Sequence, residues 1–370
     1  MTKDLNDAER MTLREITLYR VRLPLITPYR LSYHTFKTFE PIIVELRDQG
    51  GRIGWGEGHI SPGSSAETQD GGWAYAKQQA ERLPGLSTGA AKAAVAATMA
   101  RSPVAATALV TAIEMLENHR LLQVAAPVRW PLLTAFNALE GDAIPQEVEE
   151  RLAQGFKTFK IKVGQDLAAD LERIAIIQQA TAGRATLRID ANRGYSRSDG
   201  IAFASSLDPA GIELFEQPCA ADDWAANGAV AAASTVPLML DEPICALADI
   251  ERAAPIEGVG FCKLKLKRFG GLDRLHQALL RVRELAMEPV LGDGLGGEIS
   301  CWMEAAVARD TIRNAGEFNG YLKTKVPLLA NPLGFEDGAL VMPAGYRPEV
   351  DRGRLAVHTL AQERFGPAVI

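Results

Sequence analysis

The sequence predicts an α/β protein in which a (β/α)8-type barrel follows an α+β N-terminal capping domain that the C-terminal segment completes. The chain has 370 residues, which is enough for one barrel and a second, smaller domain. Strand patterns dominate its beginning, and an alanine-rich helical tract follows them. After Trp130, eight short apolar stretches alternate with amphipathic ones. We therefore predict a capping domain over residues 1–128, a barrel over 129–329 and a segment over 330–370 that packs back on the capping domain.

Three strand patterns open the capping domain, at residues 16–25, 41–47 and 52–59. The glycine pair at 50–51 between the last two patterns favours a hairpin. Residues 27–39 and 60–68 are predicted as loops, the second because it is rich in Ser, Pro and Gly. A helical tract covers residues 89–122, and Pro103 interrupts it.

Eight further strand patterns make up the predicted barrel. They cover residues 131–137, 158–163, 185–192, 212–217, 238–242, 261–266, 289–293 and 316–319. Amphipathic stretches at 146–154, 167–181 and 272–286 are predicted as helices between them. Eight strand–helix alternations at this spacing favour a closed barrel over an open sheet.

Composition and charge exclude several classes of partner. A net charge of −6 and an isoelectric point near 5.6 leave no basic surface for nucleic acid or an anionic membrane. No signal-peptide pattern and no apolar run of membrane-spanning length occurs, so we predict a cytoplasmic protein. The four cysteines lack CxxC spacing, which indicates reduced thiols without a metal or a disulfide.

Five ionisable residues recur at nearly even intervals along the barrel. They are Lys162, Asp190, Glu216, Asp241 and Lys265, separated by 28, 26, 25 and 24 residues. One βα unit needs about that much chain, so each residue is predicted to end one strand and to face a common mouth. Three carboxylates between two lysines fit a Mg²⁺ site with a base on either side. A single strand-end acid is more often a helix cap, but three in register are not explained in this way.

Two lysines in the pattern FKIKV share one strand face. Lys160 and Lys162 are two residues apart, so both side chains point the same way on a strand. Burial and mutual repulsion are expected to lower their pKa and to make one of them a usable base near neutral pH. The alternative is a solvated pair at the end of a strand.

A second lysine pattern, Lys263, Lys265 and Lys267, also lies on one strand face. Alternation does not decide which of the three is level with the carboxylates. Spacing from Asp241 favours Lys265, and Lys267 is the second choice.

Other polar residues are candidates for substrate binding. Asp293 and Glu317 end the seventh and eighth strand patterns, where they either contact a substrate or cap helices. Tyr33 and His34 lie in the first predicted loop, which carries enough polar residues to contact an anionic or polar group, or only to keep the surface hydrated. The run at 292–297 contains GxGxxG, but its late position favours a substrate loop over dinucleotide binding.

The ordered segments FKIKVG, RIDANRG, FEQP, LDEP and CKLKLKRFGGL resemble the enolase superfamily and its muconate-lactonising-enzyme (mandelate racemase/muconate cycloisomerase) subgroup. The resemblance implies that Asp190, Glu216 and Asp241 bind Mg²⁺, with Mn²⁺ as a possible substitute, and that Lys162 and Lys265 face opposite sides of the substrate's α-carbon. It also implies that Lys160 lies against the substrate carboxylate, and that Asn192 and Glu242 lie beside the metal ligands. The family reaction removes the proton next to a carboxylate to give an enediolate.

The resemblance implies that the protein is an isomerase, namely a racemase, epimerase or cycloisomerase. Its substrate would be a small carboxylate or an amino acid derivative, and the protein is expected to form a homo-oligomer. A lyase, such as a dehydratase, would use the same residues. Dipeptide epimerases carry an Asp-x-Asp pair where this chain has Glu317 and Asn319, which argues against a dipeptide substrate. A Schiff-base aldolase would need one lysine and no metal. A non-catalytic binding protein is disfavoured, because it has no reason to keep five charged strand-end residues.

Overall fold

The computed structural model describes residues 11–30, 34–62 and 65–366. Its first strands are β1 (Leu13–Val21), β2 (Leu23–Arg30), β3 (Thr35–Phe39), β4 (Ile42–Asp48) and β5 (Ile53–Gly58). Strands β1, β4 and β5 form an antiparallel sheet, and β16 (Thr359–Phe365) from the end of the chain pairs with the free edge of β1. The C-terminal segment therefore supplies one strand of the N-terminal sheet.

The first predicted loop, residues 27–39, contains strands instead. Strands β2 and β3 pair as an antiparallel hairpin, with Tyr29 opposite Phe36. The loop prediction is wrong because Pro24 and Pro28 obscure the strand pattern, although proline is tolerated on the edges of a two-stranded ribbon. Tyr33 lies outside the described residues.

Three helices cover the N-terminal sheet: α1 (Gln69–Ala80), α2 (Thr88–Ala96) and α3 (Pro103–Leu116). The sequence did not predict α1. Pro103 begins α3 rather than breaking a longer helix, because the first helical position needs no N–H donor. Helix α3 is buried along almost its whole length and packs directly on the backbone of β5, where a side chain at Gly54 or Gly56 would collide with it.

The parallel sheet contains seven strands in chain order. They are β7 (Thr134–Phe136), β8 (Thr158–Lys162), β9 (Thr186–Asp190), β10 (Ile212–Glu216), β11 (Leu238–Leu240), β12 (Val259–Leu264) and β13 (Glu288–Leu291). The helices between and after them are α4 (Ala143–Ala153), α5 (Leu167–Thr181), α6 (Arg197–Ser206), α7 (Trp224–Ala233), α8 (Leu247–Ala253), α9 (Leu266–Phe269), α10 (Leu272–Glu284) and α11 (Glu298–Thr311). Each strand pairs with its neighbour in sequence, so the sheet curls and brings successive strand ends to one mouth.

The eighth predicted strand, residues 316–319, does not form a regular strand in the structure. Its backbone still contacts both edges of the curled sheet: the Glu317 amide donates to the Leu291 carbonyl, and the Gly316 carbonyl accepts from Leu133. These bonds carry Glu317 to the same mouth as the seven strands, between the first and the last of them.

The predicted strand at 131–137 is two separate strands. Its second half is β7, and β6 (Val128–Pro131) joins β15 (Ala339–Met342) and β14 (Gly334–Glu336) in a small antiparallel sheet. Helix α12 (Arg352–His358) precedes β16. No helix in the described ranges is both long and apolar enough to cross a membrane. The three domain boundaries stay a prediction.

A buried glutamate joins the two units and predicts a pH-dependent stability. Glu114 of α3 accepts hydrogen bonds from the Leu272 amide, at 3.1 and 3.0 Å, at the start of α10. Burial raises the pKa of Glu114 from 4.5 to about 8, although the Leu272 amide opposes the shift. The folded state thus holds this proton more tightly than the unfolded state, so stability is expected to fall between pH 4.5 and about 8 by up to about 1.4 kcal/mol per unit.

The measurement is urea denaturation at pH 5 and pH 8. Between pH 5 and pH 8, the free energy of unfolding is expected to fall less in the Glu114→Gln variant than in the unmodified chain. Glu117→Gln is the matched control, because Glu117 lies three residues further along and pairs with Lys92 nearer the surface. An identical pH dependence in the unmodified chain and in Glu114→Gln would contradict the prediction.

Candidate active site

The three carboxylates predicted to bind a metal lie at the carboxyl ends of neighbouring strands. Asp190 and Glu216 are the last residues of β9 and β10, and they stand opposite each other in the parallel register. Asp241 follows the last residue of β11 directly. All three side chains are buried. The structure therefore brings them to one mouth, because parallel neighbours end at the same edge.

Lys160 is the buried centre of this group. Its Nζ lies 2.9 Å from Asp190, 2.8 Å from Glu216 and 2.9 Å from Glu317. Burial lowers the pKa of Lys160, but the three carboxylates outweigh burial and hold that pKa well above its usual range. The expectation that burial makes this lysine less basic is wrong for Lys160, because it left the neighbouring acids out. The surrounding carboxylates therefore favour the charged form of Lys160.

Lys162 lies at the outer end of the same strand. Its Nζ donates to Asp190 at 2.5 Å and to Asn192 Oδ1 at 2.7 Å. Asn192 has a left-handed backbone with φ of 42°, which asparagine adopts more readily than most residues. Its side-chain amide donates to Asp190 at 3.2 Å, so Asn192 lies beside the carboxylate as predicted. The Lys162 side chain is about a quarter exposed, whereas Lys160 is buried.

Lys265 approaches from the opposite side of the mouth, after β12. Its Nζ donates to Asp241 Oδ2 at 2.9 Å, and Arg268 Nη1 donates to Asp241 Oδ1 at 3.0 Å. Burial lowers the pKa of Lys265, but Asp241 more than offsets burial and raises it. Strands two and six of the sheet thus each place one lysine against one carboxylate.

Lys267 pairs with a different carboxylate of the mouth. It pairs with Asp293, and its Nζ also donates to Ser61 Oγ at 3.2 Å and to the His59 carbonyl at 3.4 Å. Strand β12 ends at 264 and a helical turn begins at 266, so strand alternation no longer applies at 267. The structure therefore places Lys265, and not Lys267, level with the carboxylates.

Two further residues lie at this mouth. Lys263 is fully buried, pairs with Glu317 and lies 3.9 Å from Glu216. The two-residue spacing from Lys265 placed Lys263 on the same strand face, but it did not predict that the Lys263 side chain is buried. Tyr29 of the β2–β3 hairpin also lines the space, and Lys323 lies over its ring at 4.6 Å. The spacing of residues along the chain does not predict that the β2–β3 hairpin lies next to the strand ends.

The remaining predicted residues lie at the edges. Glu242 is buried and lies 3.2 Å from Arg193. Burial and the charge of Asp241 raise the pKa of Glu242 to about 7. His34 is exposed, and its ring lies 4.5 Å from that of Phe36, so the structure does not bring it to the carboxylates.

These side chains enclose a polar space, which we call the chamber. It is bounded by Tyr29, Lys160, Lys162, Asp190, Asn192, Asp241, Glu242, Lys265, Lys267, Arg268, Asp293, Leu295 and Glu317. Lys162 also lines a wider groove beside Thr27, Pro28 and His34. Acid and base groups thus converge on one polar space.

The residues present fit a divalent metal by their chemistry. Lys160 Nζ lies 2.8 Å from buried Glu216, but neither oxygen of this carboxylate accepts a hydrogen bond of good geometry, which is unusual for a buried carboxylate. In the described part of the chain, no three acidic or metal-binding side chains are arranged around one point as ligands. Lysine ammonium groups contact these carboxylates instead of a metal ion. Lys160 and Lys162 form ion pairs with Asp190, and Lys265 forms one with Asp241. Three hard oxygen donors on adjacent strands remain the donor set that suits Mg²⁺.

The fold and the site define an enzyme with acid–base groups at the mouth of a parallel β/α sheet. A family model described as "Enolase C-terminal domain-like" matches residues 143–348, and the chain belongs to that family. Its relatives are isomerases, and it is an enzyme of the muconate-lactonising and mandelate racemase type within the enolase superfamily. The predicted family is therefore confirmed.

Two relatives span most of the chain. An L-Ala-D/L-Glu epimerase of Bacillus subtilis is 25% identical over 350 residues, which cover 90% of this chain and 95% of that protein. Muconate cycloisomerase 1 of Acinetobacter baylyi is 26% identical over 370 residues, which cover 90% of this chain and 96% of that protein.

Solved structures show the same fold. A dipeptide epimerase of Cytophaga hutchinsonii, crystallised with Mg and the dipeptide D-Ala-L-Val, superposes with a TM-score of 0.86 at 22% identity, over 96% of this chain and all of that one. An N-succinyl Arg/Lys racemase of Bacillus cereus gives a TM-score of 0.87 at 22% identity with the same coverage.

Proposed function

We propose that this chain is a Mg²⁺-dependent isomerase that removes and returns the proton next to the carboxylate of a small substrate. The observation that carries the proposal is the placement of Lys162 and Lys265 on opposite sides of the chamber, each against a carboxylate, with Glu216 between them. Two lysines facing one carbon from opposite sides are what inversion requires. The relatives that epimerise or racemise amino acid derivatives support this class of reaction.

Asp190, Glu216 and Asp241 would hold the metal, which supplies positive charge that stabilises negative charge on the substrate's carboxylate during proton removal. One of the two lysines, Lys162 or Lys265, in its neutral form removes the proton from the face of the α-carbon that it meets, and the other, as an ammonium group, donates a proton to the opposite face. Lys160 stays charged, because three carboxylates surround it, and so contributes a fixed positive field at the floor of the chamber. Tyr29 closes the chamber from the hairpin side and limits the entry of water.

A lyase would use the same residues, so the first experiment tests proton removal rather than product. The purified enzyme is expected to exchange the α-proton of at least one member of a library of carboxylates with deuterium from solvent, measured by proton NMR. EDTA is expected to stop the exchange and Mg²⁺ to restore it, because the charge formed on the carboxylate then lacks its stabiliser. Borohydride with a carbonyl substrate is expected to trap no adduct.

Activity that survives EDTA, together with a borohydride-trapped lysine, would instead identify a Schiff-base aldolase. Exchange that is followed by loss of a β-group would identify a lyase. Exchange with recovery of both configurations at the α-carbon is the result that the proposal requires.

A further inference from the structure

Each of the two flanking lysines lies where the regular pairing of its strand ends. The pairing of β12 with β13 ends at Leu264, directly before Lys265. The pairing of β8 with β7 ends at Ile161, directly before Lys162. On these sides the ladder of the sheet no longer fixes the backbone of either lysine, so contacts with other side chains gain importance there.

Glu304 of α11 holds the backbone beside Lys265. Its side chain is buried, and its Oε1 accepts from the Leu266 amide at 3.0 Å. Leu266 begins the helical turn α9, whose first amides have no partner within the turn. The Lys265 carbonyl accepts from the Arg268 amide at 2.9 Å. Both polar groups of the peptide unit that follows Lys265 are therefore held, the amide by Glu304 and the carbonyl by the turn.

Arg173 of α5 holds the backbone at Lys162 in the complementary way. Its Nη1 donates to the Lys162 carbonyl at 2.8 Å. Its Nε donates to the Ala138 carbonyl at 2.9 Å and its Nη2 to the Phe136 carbonyl at 3.4 Å. The Arg173 side chain is buried, so the guanidinium joins the end of β8 to the end of β7 beyond their last pair. A planar fork of N–H groups is suited to hold several carbonyls at fixed angles.

Neither Glu304 nor Arg173 is among the residues that bound the chamber, so neither is placed to act on a substrate directly. Burying a carboxyl group or a guanidinium costs free energy, and an apolar side chain would fill either place without that cost. The cost has a functional return where the backbone bond fixes a base, because a displacement of about 1 Å can lower the rate about 100-fold.

We propose that Glu304 and Arg173 are positioning residues, one for each base: Glu304 sets the direction from which Lys265 meets the α-carbon, and Arg173 does the same for Lys162. The inference rests on the proposed function, because both residues act through its two lysines. It predicts that each substitution affects one face of the substrate, whereas a general loss of stability would affect both faces together.

The first test replaces Glu304 by methionine, which has a similar size and lacks the oxygen acceptor. The Mg²⁺-loaded enzyme is assayed with the library carboxylate that exchanges fastest, supplied separately as its two enantiomers. Glu304→Met is expected to lower α-proton exchange about 10- to 100-fold for the enantiomer whose proton points towards Lys265. Exchange from the other enantiomer is expected to change less than about 3-fold.

Glu304→Gln is the conservative variant and is expected to keep exchange from both enantiomers. Burial and the charge of Asp293 raise the pKa of Glu304 to about 8, although the Leu266 amide opposes the shift. The neutral acid therefore predominates at pH 7, and glutamine mimics it while keeping an oxygen that accepts from Leu266.

The second test replaces Arg173 and is expected to give the opposite pattern. Arg173→Met should lower exchange about 10- to 100-fold for the enantiomer whose proton points towards Lys162 and spare the other. Arg173→Lys keeps the charge, but one ammonium group does not reproduce the fork, so the same face is expected to lose activity to a smaller extent. Arg173→Lys decides the test if Arg173→Met does not fold.

Two matched controls on α11 lose similar contacts away from both lysines. Glu298 is buried and accepts from two backbone amides, and Arg309 donates to two backbone carbonyls outside its helix. Glu298→Met and Arg309→Met are expected to leave the ratio of the two exchange rates unchanged, whatever they do to stability. A changed ratio in these controls would show that it does not report on the positions of the bases, and would overturn the inference.

A further measurement does not depend on turnover. Hydrogen–deuterium exchange of the Leu266 amide, followed by NMR, is expected to be about 10-fold faster in Glu304→Met and unchanged in Glu304→Gln. An amide that exchanges no faster in Glu304→Met would overturn the inference, as would equal losses of α-proton exchange for both enantiomers. Absence of α-proton exchange in the unmodified enzyme for every library member would overturn the proposed function itself, so the two failures are distinguishable.

Discussion

Replacing Glu216 by glutamine is expected to abolish divalent-cation binding and to lower α-proton exchange by at least about 10³-fold, the effect of losing several kcal/mol of charge stabilisation. Glu216 stands between Asp190 and Asp241 in the sheet, and its oxygens accept no hydrogen bond. Lys160 Nζ lies 2.8 Å away, so the contact that Glu216 makes in the absence of a metal is with an ammonium group alone. Binding is measured with Mn²⁺ by electron paramagnetic resonance, so that the result does not depend on activity alone.

The Glu216→Gln variant is expected to fold. Burial and the charge of Asp190 raise the pKa of Glu216 in spite of Lys160 and Lys263, so the folded protein disfavours the ionised form and tolerates a neutral amide. Lys160 also keeps Asp190 and Glu317 as partners.

Glu213→Gln is the matched control, since Glu213 lies on the same strand and pairs with Arg188 at 2.8 Å. Glu213→Gln is expected to bind Mn²⁺ as the unmodified chain does. Undiminished Mn²⁺ binding by Glu216→Gln would remove this residue from the metal site.

Sequence patterns alone predicted the part of the site that depends on strand spacing. One charged residue at each of five successive strand ends is a regular signal, and parallel register turns regular spacing along the chain into proximity in space. Lys162, Asp190, Asp241 and Lys265 accordingly line one chamber, and Glu216 lies beside it, opposite Asp190 in the strand register. Their chemical roles are still proposals, because spacing places side chains but does not test what they do.

The features that the sequence did not predict depend on contacts between distant segments. Tyr29 reaches the chamber because a hairpin, and not a loop, crosses the mouth. The segment at 316–319 contacts the two sheet edges through only two backbone hydrogen bonds each, which a strand pattern does not distinguish from a regular ladder. Lys263 lies within strand β12, whereas Lys267 lies in the helical turn that follows it, so the two side chains do not share one face.

Electrostatics in the chamber also depends on those contacts. A lysine considered alone loses basicity when it is buried, and this holds for Lys263, where burial lowers the pKa in spite of Glu216 and Glu317. For Lys160 the direction is reversed, because three carboxylates surround one ammonium group. The sign of the pKa shift is therefore set by the balance between burial and the neighbouring charges in the fold, which the sequence does not contain.

Replacing either flanking lysine by alanine is expected to abolish racemisation while leaving exchange from one enantiomer. Lys162 and Lys265 approach the chamber from strands two and six, so each faces a different side of a carbon held between them. Lys162→Ala should keep exchange only for the enantiomer whose proton points towards Lys265, and Lys265→Ala only for the other. The lost exchange should fall by at least about 10³-fold, as for removal of a general base.

The complementary pattern is what distinguishes two bases from one. A merely structural role for either lysine would lower exchange from both enantiomers together, because Asp190 or Asp241 would lose its partner and the whole site would change. Lys157→Ala serves as control, since Lys157 is exposed just before the same strand that ends in Lys162. Equal loss of exchange from both enantiomers in both variants would refute the two-base arrangement, even if overall turnover fell as expected.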